Sequence, residues 1–273
     1  MAERLDVRGR SVVITGAAGG IGSALAARFA AAGALVALLD RDESGLESAR
    51  RTLREDDTSM LAVPCDVTSL DDCSAAVARV VEAWGGVDVL INNAGITHVS
   101  PFADTDVDVL RRVMDVNLFG AVNMTSTALD LLLARRGQIV VVSSVAGFAP
   151  LMLRTGYAAS KHALHGCFES LRAELRDTGV GVTLVCPSFV RTGIGDHALG
   201  AHGGTPTHER TETGGAADPG DLADAVFEAT VRRRRLLLHS RTAKLSYVLS
   251  RAWPAGYEQL MARRLRPAGA PEA

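Results

Sequence analysis

Short aliphatic and β-branched runs alternate with helix-periodic stretches for most of the chain, and this alternation constrains the fold more than any other feature. The strand-like runs are Ser11–Thr15, Leu35–Asp40, Met60–Pro64, Val87–Ile91, Gln138–Ser143, Gly181–Cys186 and Leu236–His239. Helical patterns near Ile21–Ala32, Glu43–Asp56, Ser69–Trp84, Asp106–Arg135, Thr155–Thr178 and Pro219–Arg233 fit between them. A run such as Val140-Val141-Val142 offers apolar side chains to both faces, which suits a strand covered on both sides in a parallel sheet. Repeated strand–helix–strand units predict an α/β fold: a doubly wound, Rossmann-like parallel sheet of about seven strands, with helices on both faces and right-handed crossovers. With no internal repeat and no linker, residues 1–273 read as one domain.

Composition removes several classes of function. No apolar run reaches the 18 or so residues of a membrane span, and Met1–Asp6 lacks an apolar targeting core, so a cytoplasmic protein is expected. Cys65, Cys73, Cys167 and Cys186 form neither a C-x-x-C pair nor a zinc spacing, which predicts reduced thiols and no metal. The net charge of −2 conceals a basic stretch at 232–266, with ten basic residues and a single acid, Glu258. The acidic remainder argues against nucleic acid as a partner.

The first strand runs into Thr15-Gly16-Ala17-Ala18-Gly19-Gly20-Ile21-Gly22 and then a helix. Glycines permit a sharp turn and close approach of a ligand, and the helix start offers unpaired N–H groups to a pyrophosphate. Asp40 ends the second strand, eighteen positions after Gly22, where a carboxylate reaches the adenosine ribose hydroxyls. A carboxylate there repels a 2′-phosphate, so NAD is preferred. Arg41 beside it keeps NADP open. Further along, Tyr157 and Lys161 lie one helical turn apart, on the side continued by Leu164, Phe168, Leu171 and Leu175. A phenol beside a cation gives up its proton more readily, which makes Tyr157 a candidate acid/base.

The glycine spacing, Asn92-Asn93-Ala94-Gly95 after the fourth strand, and Tyr157-x-x-x-Lys161 together resemble the short-chain dehydrogenase/reductase family over roughly residues 8 to 192. The resemblance implies Tyr157 as acid/base, assisted by Lys161, which also binds the nicotinamide ribose. It implies Ser144 as the hydroxyl that bonds the substrate oxygen and Asn117 as the holder of a proton-relay water. Cofactor contacts are implied at Thr15, Gly16, Gly20, Ile21 and Gly22, at Asp66 and Val67 around the adenine, and at Asn93, Ala94 and Gly95. Pro187, Val190 and Thr192 match the turn beneath the nicotinamide, where Ser188 stands in place of the family's usual glycine. Family members are usually dimers or tetramers, so a homodimer or homotetramer is expected.

Two segments stand outside the motifs. The glycine-rich, polar stretch at 193–217 follows the sixth strand and is expected to form a mobile lid over the substrate. The basic extension at 242–266 reads as two amphipathic helical pieces parted at Pro254, with Leu245, Val248, Leu249 and Trp253 on one face. It can pack on its own domain, cover a lipophilic substrate pocket, or rest on anionic membrane. The expected activity is NAD(P)-dependent interconversion of a lipophilic secondary alcohol and a ketone. The alternatives are an NADPH-dependent 3-oxoacyl or carbonyl reductase, and a catalytically silent cofactor sensor.

Overall fold

The computed structural model describes residues 4–53, 59–208 and 215–264. Among them, β1 (Ser11–Thr15), β2 (Leu35–Asp40), β3 (Met60–Pro64), β4 (Val89–Asn92), β5 (Gln138–Val142), β6 (Gly181–Cys186) and β7 (Leu236–Leu238) form one parallel sheet in the order β3-β2-β1-β4-β5-β6-β7. Strand order reverses between β1 and β4, which opens a crevice at their carboxyl ends.

Side chains along each strand alternate between two buried layers. Val12, Ile14, Val36 and Leu38 pack against α1 (Gly20–Ala30), α2 (Glu43–Leu53) and α7 (Pro219–Val231), where Phe29 and Phe227 meet edge to face at 5.2 Å. Val13, Ala37, Leu90 and Val141 face the other layer, built from α3 (Leu70–Trp84), α5 (Gly120–Arg135) and α6 (Thr155–Glu174). Each valine, leucine or isoleucine among them, taken fully out of water, contributes about 1.5–3 kcal/mol. Covering both faces is what the uninterrupted apolar runs required.

The long helix expected over Asp106–Arg135 is not one regular helix. It comprises α4 (Val107–Met114), a wide π-type turn at Asp115–Phe119, and α5. Inserting a residue into the helical ladder rotates the following side chains, and such turns recur at functional positions. Here it carries Asn117 into the interior at 1% exposure. By length and composition the combined helix could cross a membrane, but in this fold α4 packs on α6 and α5 on α3. Other element ends differ from expectation by a few residues: β4 runs two residues later at its start and includes Asn92, β5 stops before Ser143, β7 before His239, and α6 at Glu174. Part of the Glu43–Asp56 helix pattern lies outside the described residues. The carboxyl extension forms α8 (Arg241–Ala252) and α9 (Pro254–Arg264), parted at Pro254 as the sequence indicated.

Candidate active site

The turn from β1 to α1 sits at the crevice between β1 and β4. Gly16 has φ +66°, and a side-chain carbon there would lie 2.8 Å from the Ala94 Cα. A side chain on Gly22 would run into the Gly16 carbonyl oxygen, so both positions accept only glycine. The N-cap Gly19 supplies no side-chain hydrogen bond to the first turn of α1. Gly20, Ile21 and Gly22 of that turn line the cleft, and the unpaired amides of a helix start are a ready site for a pyrophosphate. Thr15 is 1% exposed and lies beneath the turn rather than in the cleft. Its Oγ1 accepts the Asn93 and Ala94 N–H groups, each at 3.0 Å, while Asn93 Nδ2 donates back to the Thr15 and Gly16 carbonyls. Thr15 thus ties the β1 turn to the Asn93–Ala94 loop at the floor of the cleft.

A cleft of about 930 Å3 extends from this turn, walled by Gly16, Gly20, Ile21, Gly22, Asn93, Ala94, Gly95 and Thr192. Asp40 and Arg41 line its far end. The Asp40 carboxylate accepts the Ala18 and Asp42 N–H groups at 3.1 Å each, which holds it pointing into the cleft. Asp66 and Val67 line the same region. Hydrogen bonds from the Thr68 N–H and hydroxyl keep the Asp66 carboxyl below the usual carboxylate range. Size, glycine cradle, free helix amides and ribose-level carboxylate all fit a dinucleotide.

Ile21, Asn93, Gly95, Thr192 and Ile194 are shared with a second cavity of about 410 Å3. Ser144, Tyr157 and Lys161 line it, as do Pro187 and Val190. Ser144 sits in extended conformation after β5, and its Oγ accepts the Ala146 N–H at 3.2 Å, which leaves its hydroxyl hydrogen free to donate into the cavity. Lys161 is 3% exposed; its Nζ donates to the Val142 carbonyl at 2.9 Å and lies 5.6 Å from the centre of the Tyr157 ring. Burial pulls the Lys161 ammonium down to about 8 from its ordinary value. Asn117 lies one layer below: its Nδ2 donates to the Ile96 carbonyl and to Ser160 Oγ, and its Oδ1 accepts the Ile96 N–H. Its side chain braces the Gly95 loop against α6. Ser188 is not among the described non-glycine residues with positive φ (Arg136, Leu153 and Arg233), so the turn after β6 needs no glycine there.

The remaining wall was not anticipated residue by residue. Ser246 and Leu249 of α8, with Tyr257, Leu260 and Met261 of α9, close the second cavity. Tyr257 is 4% exposed. Its spacing with Leu260 and Met261 is the i, i+3, i+4 pattern of an apolar helix face, a signal present in the sequence. Leu245 and Val248 do not share the burial of Leu249, at 60% and 59% exposure. The 193–217 stretch contributes Ile194 and His197 to the cleft. Its Leu199 is bonded to Thr97 and Val99 in strand-like fashion, and Ala217 to Phe189 and Arg191; residues 209–214 lie outside the described residues. No cluster able to hold a metal ion occurs among the described residues.

A doubly wound sheet with a dinucleotide cleft leading to a Ser–Tyr–Lys cavity defines a nicotinamide-dependent oxidoreductase class. Residues 10–199 match the short chain dehydrogenase family. The chain is 35% identical to the dehydrogenase/reductase SDR family member 7B of Rattus norvegicus, over 95% of this chain and 82% of the relative. It is also 35% identical to the protein of that name in Danio rerio, over 97% and 89%. A crystal structure of a short chain dehydrogenase/reductase from Burkholderia phymatum in complex with NAD superposes with a TM-score of 0.82 at 28% identity, covering 98% of this chain and all of that one. The chain belongs to the short-chain dehydrogenase family.

Proposed function

We propose that the protein interconverts a lipophilic secondary alcohol and its ketone, with Tyr157 as acid/base. One observation carries this reading: the phenol and Ser144 line an apolar cavity that shares Ile21, Asn93, Gly95, Thr192 and Ile194 with the dinucleotide cleft. A nicotinamide cofactor, when bound, supplies the redox chemistry. Ser144 donates to the substrate oxygen and fixes it beside Tyr157, whose phenol takes the alcohol proton or returns one to the carbonyl. Lys161 favours the deprotonated phenol through its charge. Asn117 keeps the loop and helix that flank the site in register. The test is a panel of hydroxysteroids, retinoids and medium-chain alcohols with each cofactor, following absorbance of the reduced nicotinamide. Dinucleotide binding with no turnover across the panel would favour a cofactor sensor instead.

NAD is the proposed cofactor, because the Asp40 carboxylate lines the cleft at the end of β2, where an acidic group would accept the ribose hydroxyls and repel a 2′-phosphate. Arg41 in the same wall supports the second reading, an NADPH-dependent 3-oxoacyl or carbonyl reductase. Asp40→Ala removes the repulsion of a 2′-phosphate, and the kcat/KM ratio of NADP to NAD is expected to rise about tenfold or more. An unchanged ratio would place the discriminating group elsewhere.

Membrane contact is proposed at α8. Leu245, Val248 and Trp253 are exposed, the last at 65%, with Arg241, Lys244 and Arg251 on the same helix region. Basic amphipathic helices with Trp and Leu lie in the membrane interface. Co-sedimentation with anionic vesicles, lost in high salt, is the expected result; no binding at low salt would dispose of it. A cytoplasmic homodimer or homotetramer remains the proposed assembly, measurable by sedimentation.

A further inference from the structure

His98 follows the Asn92–Gly95 motif, and from sequence it is either a mouth residue or a surface one. It is neither: its exposure is 0%. The ring lies against the start of α6, the helix that carries Tyr157. A helix start leaves its first N–H groups unpaired, and the N-cap side chain normally accepts from the second or third. The N-cap of α6 is Arg154, which has no acceptor and makes no cap bond. His98 fills the vacancy from another segment, its Nε2 accepting the Gly156 N–H at 2.9 Å. Glycine eases this approach, since a side-chain carbon at 156 would stand 3.2 Å from Nε2 and 2.7 Å from Leu110 Cδ2, and both side chains would have to shift.

The bond fixes the ring's tautomer. A backbone N–H only donates, so Nε2 is unprotonated and the proton resides on Nδ1, 3.2 Å from Ser100 Oγ. Ser100 Oγ lies 2.7 Å from Thr105 Oγ1, which donates to the Pro101 carbonyl at 2.6 Å. All donors then run one way, from Gly156 through His98, Ser100 and Thr105 to Pro101. A second clamp runs alongside: Leu153, at φ +60°, offers its carbonyl to the Ser100 N–H at 2.9 Å.

We propose that His98 is a positioning residue for Tyr157, its neutral imidazole capping the first turn of α6, and that protonation at Nε2 releases that turn. A protonated ring would set one donor against another at the Gly156 N–H. The groups around the ring are the hydroxyls of Ser100 and Thr105, the backbone of Gly156, Leu110 of α4 and the backbone of Leu199; Arg154 is the charged group acting on it. Burial, and then the Arg154 guanidinium, hold its titration below the ordinary histidine value, so the cap is made at neutral pH and lost on acidification. The catalytic consequence rests on the proposed role of Tyr157; the cap itself does not.

Two variants separate the ring's two bonds. His98→Gln places an amide oxygen near the position of Nε2, whereas His98→Asn keeps a donor near Nδ1 and has nothing to accept the Gly156 N–H. Exchange of the Gly156 amide, followed by NMR from about pH 5 to 8 and corrected for intrinsic rate, reads the cap directly. Wild-type protection is expected to fall on acidification, His98→Gln protection to be independent of pH, and His98→Asn protection to be lower by about tenfold or more throughout. With any alcohol that turns over, His98→Asn should lose about tenfold in kcat with KM and dinucleotide affinity little changed, and His98→Gln should lose the acid limb of the wild-type profile. Identical behaviour of the two variants, or wild-type exchange without pH dependence, overturns the proposal. Lost Gly156 protection with undiminished kcat overturns the positioning role. Should His98→Asn fail to fold, the pH profile of His98→Gln decides alone. Absence of turnover in every variant counts against the proposed reaction, while amide exchange still decides the cap.

Discussion

Tyr157→Phe is expected to reduce turnover by about 10²- to 10⁴-fold, the range that a positioned general acid/base supplies. This corresponds to roughly 3 to 5 kcal/mol of transition-state stabilisation. The substitution removes one oxygen and keeps the ring, so packing of α6 and the 5.6 Å approach of Lys161 Nζ to the ring centre should persist. The phenol lines the substrate cavity rather than the cleft that ends at Asp40, and affinity for the dinucleotide should change little. Steady-state kinetics on a substrate from the panel, with dinucleotide binding measured in parallel, checks both halves. Retention of more than about a tenth of the rate, a barrier change of only ~1.4 kcal/mol, would remove Tyr157 from the proton-transfer role. A large loss of dinucleotide affinity would mean that the ring oxygen serves binding instead.

Much of this architecture was legible in the residues because strands buried on both faces have no choice but to be apolar at successive positions, as Val12-Val13-Ile14 and Val140-Val141-Val142 are. The glycine turn was legible for a related reason: contacts at Gly16 and Gly22 tolerate no Cβ, and steric exclusion writes itself into sequence as glycine. Other features leave no such trace. The π-type turn at Asp115–Phe119 shifts hydrogen bonds without altering helical composition, so the Asp106–Arg135 pattern reads as unbroken. Thr15 belongs to the cofactor motif yet spends its hydroxyl on the Asn93 and Ala94 amides, which only the pairing of β1 with β4 brings near. For His98, a lone polar residue has no period, and its partner is a backbone amide 58 positions away. The amphipathy of 242–266 was visible, but which apolar residues close the cavity depended on the angle between α8 and α9. Leu249 packs with Tyr257 and Leu245 reaches the cavity rim while staying largely exposed, whereas Val248 is exposed and takes no part in the lining.

Lys161 carries the other large effect, because its charge serves chemistry at the expense of the fold. The Nζ is buried, and its single hydrogen-bond acceptor among the described residues is the Val142 carbonyl, a neutral oxygen. Desolvation therefore draws the ammonium down to about 8. In the unfolded chain a lysine titrates near ~10.4, so between these values the unfolded state binds more protons than the native one. Stability must then rise with pH across that window, and the penalty for the charged form is fully present below it. Two to three pH units at about 1.36 kcal/mol each make the change on the order of 3 kcal/mol. Lys161→Met has no such titration, and other groups cancel when the two proteins are compared. Urea unfolding of the dinucleotide-free proteins is expected to show wild type gaining on the variant from about pH 8 to 10, with a constant difference below about pH 7. Leaving the Val142 carbonyl without its donor costs the variant about 1 to 3 kcal/mol at every pH, which shifts the curve without tilting it. The same substitution removes the cation beside Tyr157, and turnover should fall by about 10² or more. A difference in stability that stays flat through the window would mean that water or a counter-charge reaches Nζ in solution, and the ammonium would then lack the weakly screened surroundings from which it is proposed to act on the phenol.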